Sequence, residues 1–166
     1  DKRFEDDLMD KGSLTSGAQL ILDNEDYNFT TGFDVYENLS LINSDRYQYV
    51  FPYYDFSTTL LSNSNGTLNF GTSGRSSLSN TNNLRTNISN TINYTTNDLY
   101  SKSGFVNNFG IYFKNLNITG KNDTKYKSSI QSELLNIYEL NTAFPLIKSK
   151  DDGVNYITPK LSFRIN

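Results

Sequence analysis

The 166 residues contain no cysteine and no histidine. Without cysteine there are no disulfides and no thiolate metal sites, and without histidine the commonest general base and metal ligand is missing. Most catalytic templates are excluded on that ground. The lack of cysteine leaves the compartment open, because a barrel closed by backbone hydrogen bonds needs no covalent staples. No stretch approaches the run of about 20 apolar residues that a transmembrane helix needs, so any membrane role falls to strands. Charge of one sign is also missing. The net charge is -3, with acids and bases spread along the chain, which provides neither a basic stripe for nucleic-acid phosphates nor a polybasic membrane anchor. Helix has little support beyond a short turn over Lys2 to Asp10, because Asn, Thr, Ser and Gly elsewhere compete with helical hydrogen bonding.

What is present is aromatic. Hydrophobic residues make up only 36% of the chain, yet 14% of residues are aromatic, with 12 Tyr and 11 Phe. That pairing suits a wall with one wet face and one apolar face. A length of 166 residues suits one domain, and no internal boundary is visible between 1 and 166. The first residue is Asp1 rather than Met, and the last residues still lie in an apparent strand, Tyr156 to Ile165. We therefore expect an excerpt of a longer protein, with any signal peptide lost upstream.

The dominant pattern is alternation with a period of two, which puts one set of side chains on each face of a strand. From Leu84 to Tyr94 the even positions read Leu84, Thr86, Ile88, Asn90, Ile92 and Tyr94, against the polar odd positions Arg85, Asn87, Ser89, Thr91 and Asn93. Tyr27, Phe29, Phe33 and Val35 alternate with Asn28, Thr30, Gly32 and Asp34. From Tyr126 onward, Ile130, Leu134, Tyr138, Leu140, Phe144 and Leu146 share one parity, opposed mainly by Lys127, Ser129, Gln131, Glu133 and Glu139. This segment is long enough for a barrel strand of about 9 to 11 residues, or for one that extends past the bilayer. Fainter copies run over Ala18 to Leu22, Tyr54 to Leu60, Leu68 to Thr72, Phe105 to Phe113 and Ile157 to Ile165.

Between these runs stand Asp23-Asn24-Glu25-Asp26, Asn43-Ser44-Asp45, Asn63-Ser64-Asn65-Gly66, Asn80-Thr81-Asn82-Asn83, Thr96-Asn97-Asp98, Lys121-Asn122-Asp123 and Asp151-Asp152-Gly153. Asn, Asp and Gly tolerate left-handed backbone angles and so reverse the chain between antiparallel neighbours. The reading is all-β: an antiparallel up-and-down meander of about eight strands, a fragment of a large transmembrane β-barrel. Pro52, Pro145 and Pro159 are expected at strand ends or edges, where a missing N–H is tolerated.

Several clusters invite a functional reading and are better explained without one. Asp23, Glu25 and Asp26, like Glu5, Asp6, Asp7 and Asp10, lack the spacing of a calcium loop and read as solvated segments. Glu133 and Glu139 form a candidate glycosidase pair, but they share the polar face of a strand and read as lining. Gly71-Thr72-Ser73-Gly74-Arg75 lacks the Lys-Ser/Thr ending of a phosphate loop. Sequons at Asn28, Asn38, Asn65, Asn87, Asn93, Asn117 and Asn122 arise by chance in so Asn-rich a chain, and four fall inside expected strands. No catalytic residue, cofactor or metal ligand is expected. Arg46-Tyr47-Gln48-Tyr49-Val50-Phe51-Pro52-Tyr53-Tyr54 concentrates aromatics as an interfacial girdle does, and equally as a cluster in a soluble β-sandwich does.

Along the chain, Phe4-Glu5-Asp6-Asp7 is followed by Leu14-Thr15-Ser16, Tyr27 to Tyr36, Arg46 to Phe56 with Phe51-Pro52-Tyr53, and Gly66-Thr67-Leu68-Asn69-Phe70. After them come Leu84-Arg85-Thr86-Asn87-Ile88, Phe144-Pro145-Leu146, Gly153 and Ile157-Thr158-Pro159-Lys160-Leu161. This order of segments resembles the central barrel region of the LptD family of outer-membrane lipopolysaccharide-assembly proteins. The cysteines of some members are missing. The resemblance implies a large antiparallel barrel in the outer membrane of a Gram-negative bacterium. Such a barrel receives lipopolysaccharide from a periplasmic LptA-like bridge and holds an LptE-like plug lipoprotein. On this reading Arg85, Asn87, Lys127, Gln131 and Glu133 face the lumen, toward plug or lipopolysaccharide, while Ile88, Ile92, Ile130 and Leu134 face lipid. The rival readings are another outer-membrane barrel, a porin or TonB-dependent siderophore receptor, and a soluble secreted β-sandwich that binds glycans.

Overall fold

A computed structural model describes residues 12–42, 44–150 and 153–166, so the expected turn over Lys2 to Asp10 and the acidic run from Glu5 lie outside the described residues. The strands are β1 (Ser13–Asp23), β2 (Tyr27–Asn38), β3 (Tyr47–Asn63), β4 (Gly66–Ser79), β5 (Asn83–Thr96), β6 (Leu99–Tyr100), β7 (Val106–Lys121), β8 (Gln131–Ala143), β9 (Leu146–Lys150), β10 (Gly153–Ile157) and β11 (Lys160–Ile165). The one described helical turn is 3-10, Ser44–Arg46. Nine strands form one antiparallel sheet in the order β1-β2-β3-β4-β5-β7-β8-β11, with the short β6 also paired to β7. This is the meander expected from the alternation, with β9 and β10 inserted as a separate two-stranded ribbon. No ladder closes the sheet among the described residues.

Two compact units share these strands, with boundaries falling inside β3, β4, β5, β7 and β8. The first comprises Asp1–Ser57, Gly71–Asn90 and Leu116–Glu133. Here Ala18 pairs with Phe33, Leu20 with Thr31 and Leu22 with Phe29, so these side chains share a face, and Gly17, Asp34, Gln19 and Gly32 occupy the other. Phe33 meets Phe51 edge-on at 6.0 Å, and Phe29 meets Phe56 at 6.5 Å. Phe51 and Phe56 differ in parity yet reach the same side of β2, so the alternation of β3 slips by one residue between them. Pro52, expected at a strand end or edge, instead sits in this slipped stretch inside β3, flanked by β2 and β4. A residue without an N–H is tolerated where the ladder is already irregular.

Turns in this unit form where Asn and Asp accept backbone hydrogen bonds. Asn24 Oδ1 accepts from the N–H groups of Asp26 and Tyr27, both at 2.9 Å. Asn80, Thr81 and Asn122 adopt left-handed φ of 51°, 57° and 54°. A threonine there is unusual, since the region favours Gly and Asn.

The second unit comprises Thr58–Phe70, Thr91–Asn115 and Leu134–Asn166. Leu161, Phe163 and Ile165 pair with Thr142, Leu140 and Tyr138, and Ser162 and Arg164 pair with Asn141 and Glu139. The single strand expected from Tyr126 through Leu146 is corrected: β8 covers Gln131–Ala143, Tyr126 to Ile130 lie in a loop, and Leu146 begins β9. Likewise the run Ile157 to Ile165 divides between β10 and β11 around Pro159. Pro145 and Pro159 lack ladder donors, and the Phe144 N–H donates to the Pro159 carbonyl at 3.0 Å, closing the root of the ribbon. Phe144 also packs on Phe105 at 4.7 Å between ring centroids.

Among the described residues only Val50 and Ile137 are buried apolar side chains. Here the large apolar side chains stay on the strand surfaces.

Candidate functional site

The feature built by these elements is a two-faced strand surface rather than a cleft. In the first unit, Ser76 and Thr86 hydroxyls lie 2.5 Å apart, and Thr72 Oγ1 donates to Asn90 Oδ1 at 2.8 Å. Those cross-strand pairs put the even positions of β4 and β5, including Gly74 and Ile88, on one face. The odd positions Ser73, Arg75, Asn87 and Ser89 line a shallow depression of about 250 Å³ together with Tyr53. Leu20, Leu22, Phe33, Phe51, Leu84 and Ile88 are exposed on the opposite side of their strands. Thr72 Oγ1 also lies 3.5 Å from the Tyr54 hydroxyl, so the polar groups of this face are paired with one another, which lowers the penalty of holding them away from water.

Arg85 is engaged. Its Nε and Nη2 both approach Asp123 Oδ2, at 2.9 and 2.8 Å, and its guanidinium lies 4.9 Å from the centre of the Tyr126 ring. The other carboxylate oxygen accepts from the N–H groups of Lys125 at 2.8 Å and Tyr126 at 3.0 Å. The Lys125 N–H holds the carboxyl below its ordinary range, and the Tyr126 N–H and Arg85 act the same way against the upward push of burial. The 122–130 loop is thereby folded onto the end of β7, where the Gly120 N–H donates to the Lys127 carbonyl at 2.8 Å. A side chain at Gly120 would crowd Asp123 Cβ at 2.7 Å, so only glycine permits this approach.

In the second unit the polar face carries a hydrogen-bonded ladder from Asp98, just before β6, across three strands, β7, β8 and β11. Asn108 Nδ2 donates to Asp98 at 3.3 Å, Asn141 Nδ2 donates to Asn108 Oδ1 at 2.9 Å, and Ser162 Oγ donates to Asn141 Oδ1 at 2.6 Å. Arg164 pairs with Glu139 at 3.4 Å beside it. Asn93, Thr95, Asn108, Gly110, Glu139 and Asn141 help to line a depression of about 360 Å³ on this face. Leu134, Tyr138, Leu140, Leu161, Phe163 and Ile165 have the other parity and are exposed. The alternation has exceptions: Leu135 and Ile137 share the parity of Glu139, and Ile137 is one of the two buried apolar residues.

Arg85, Asn87, Gln131 and Glu133 therefore lie on strands at positions of polar parity, while Ile88, Ile92 and Leu134 hold the apolar parity. Lys127 and Ile130 lie in the loop, where alternation assigns no face. Gln131 is also used locally, its Oε1 accepting from the Lys127 N–H at 3.1 Å. The amide ladder of Asn108 and Asn141 is not among the sequence expectations, although both residues hold polar parity within their strands. Arg46, at the start of the aromatic segment, pairs with Glu37 at 3.0 Å and lies 4.7 Å over the Tyr47 ring, which stacks on Tyr49.

No family model matches the chain, and no curated protein is similar to it.

Proposed function

We propose that this chain is a stretch of the wall of a large outer-membrane β-barrel, and that its role is transport rather than catalysis. The observation that carries the reading is a meander of strands 11 to 17 residues long, β1 to β5 and β7 to β8, in which one parity is mainly polar and the other carries most of the large, exposed apolar side chains. Apolar area left in water forgoes about 25 cal/mol per Å², and contact with lipid removes that loss without a second protein layer. Closure of such a sheet removes its edges, the requirement for strands in lipid.

The order of segments, which resembles that of the LptD family, supports a finer reading: part of the translocon that assembles lipopolysaccharide in the outer leaflet. On that reading the polar face lines a hydrated lumen and meets an LptE-like plug or the sugars of lipopolysaccharide through many weak hydrogen bonds. The periplasmic LptA-like bridge would engage other parts of the protein. Photo-crosslinking from Asn87 and Gln131 in the full-length protein tests both levels. Adducts to a plug lipoprotein or to lipopolysaccharide agree with the finer reading, and adducts to other soluble cargo retain only the barrel. Adducts confined to phospholipid would put the polar parity outside and sink the proposal.

A further inference from the structure

The β9–β10 ribbon has an amphipathic pattern different from that of the sheet. Its ladder pairs Leu146 with Ile157, Ile147 with Tyr156, Lys148 with Asn155, Ser149 with Val154 and Lys150 with Gly153. Successive pairs point to opposite faces, so each face begins with an apolar pair at the root; outward, one face continues with Lys148 and Asn155 and the other with Ser149 and Val154. The root side chains are 46% exposed at Leu146, 67% at Ile147, 71% at Tyr156 and 64% at Ile157. An isolated two-stranded ribbon is marginal in water, so this one gains from cover on both faces at once. A protein surface covers one face of a ribbon, whereas the fluid headgroup and acyl boundary of a bilayer surrounds it. Tyr suits that boundary because its ring rests in the apolar zone while its hydroxyl stays hydrated, and the stem of Lys148 allows its charge to reach water. The apolar surface is continuous in kind with Leu140, Leu161 and Phe163 on β8 and β11, the strands that the ribbon connects.

We propose that the β9–β10 ribbon is an interfacial anchor that inserts Leu146, Ile147, Tyr156 and Ile157 into the headgroup and acyl boundary of a phospholipid bilayer. This rests on the barrel-wall reading. The test places a single tryptophan at Tyr156→Trp, Ile147→Trp or Ile92→Trp in the full-length protein freed of other tryptophans. Each variant is reconstituted in phosphatidylcholine vesicles whose acyl chains are brominated near the headgroup or near the centre. The expected result is blue-shifted emission at both ribbon positions, quenched most by the shallow bromines, with Ile92→Trp quenched more by the deep ones. Quenching at Ile92→Trp with a water-like signal at either ribbon position would overturn the anchor and leave the wall standing. Absence of quenching at all three positions would overturn both.

Discussion

The ring of Tyr54 on β3 lies over Gly74 on β4, so close that a methyl group at Gly74 would collide with it. Tyr53, the preceding residue, covers Gly32 of β2, where an added Cβ would stand 2.7 Å from the tyrosine hydroxyl. Consecutive strand residues face opposite ways, so the two tyrosines cover glycines on the two faces of the sheet. Aromatic cover of a cross-strand glycine compensates for the packing that a missing side chain forfeits. Gly74→Ala should therefore destabilise the folded protein by about 1 to 3 kcal/mol through overpacking. Tyr54→Ala combined with Gly74→Ala should be less damaging than the sum of the two. Urea unfolding of the reconstituted protein measures both, and strict additivity would exclude the contact as the cause.

A second expectation concerns pH at the 122–130 loop. Asp123 has a lowered folded pKa, first because of the Lys125 N–H and then the Tyr126 N–H and Arg85. Its contribution is present above the unfolded carboxylate value of about 3.9 and is lost only as pH falls through the lower folded value. Amide exchange at Lys125 and Tyr126 should remain slow through that range and accelerate in stronger acid. Asp123→Asn should speed exchange at neutral pH and flatten the pH response. Unchanged protection in Asp123→Asn would refute this account.

The two faces should differ sharply in tolerance to charge. Ile92→Lys, if near the bilayer midplane, should cost about 2 to 4 kcal/mol in folding into vesicles, against little for Asn93→Lys on the adjacent polar position. Equal costs at the two positions would remove the basis for a lipid-facing apolar side.

Along the polar face, Ser162→Ala removes one donor from the ladder and should cost about 0.5 to 1.5 kcal/mol. Asn141→Ala removes the partner of both Asn108 and Ser162 and should cost more than Ser162→Ala. Unfolding midpoints order the two variants, and the reverse order would show that the ladder is not what holds these strands together.

Much of the fold was legible because strand formation and face assignment depend on a period of two. Leu84 to Tyr94 was expected as a strand and occupies most of β5, and the Asn-rich segments at Asn24, Asn63 and Asn80 turn the chain where expected. The apolar and polar parities of Ile88 and Asn87 need only the local backbone. Pattern fails where the backbone leaves the ladder. Tyr126 to Ile130 continue the alternation of β8 in sequence, yet Asp123 and Gly120 fold them into a loop.

What the sequence determined by itself, then, is the all-β class, the position of most turns and the two-faced character of the strands, since each follows from residues within a few positions of one another. The tertiary structure decided the slip of register around Pro52, the separate ribbon of β9 and β10, and which polar groups are already engaged. Arg85 reads from sequence as a lumenal charge, but its partner lies 38 residues away at Asp123. Such pairings require the ladder between β5 and its neighbours to bring distant segments together, and no local period encodes that distance.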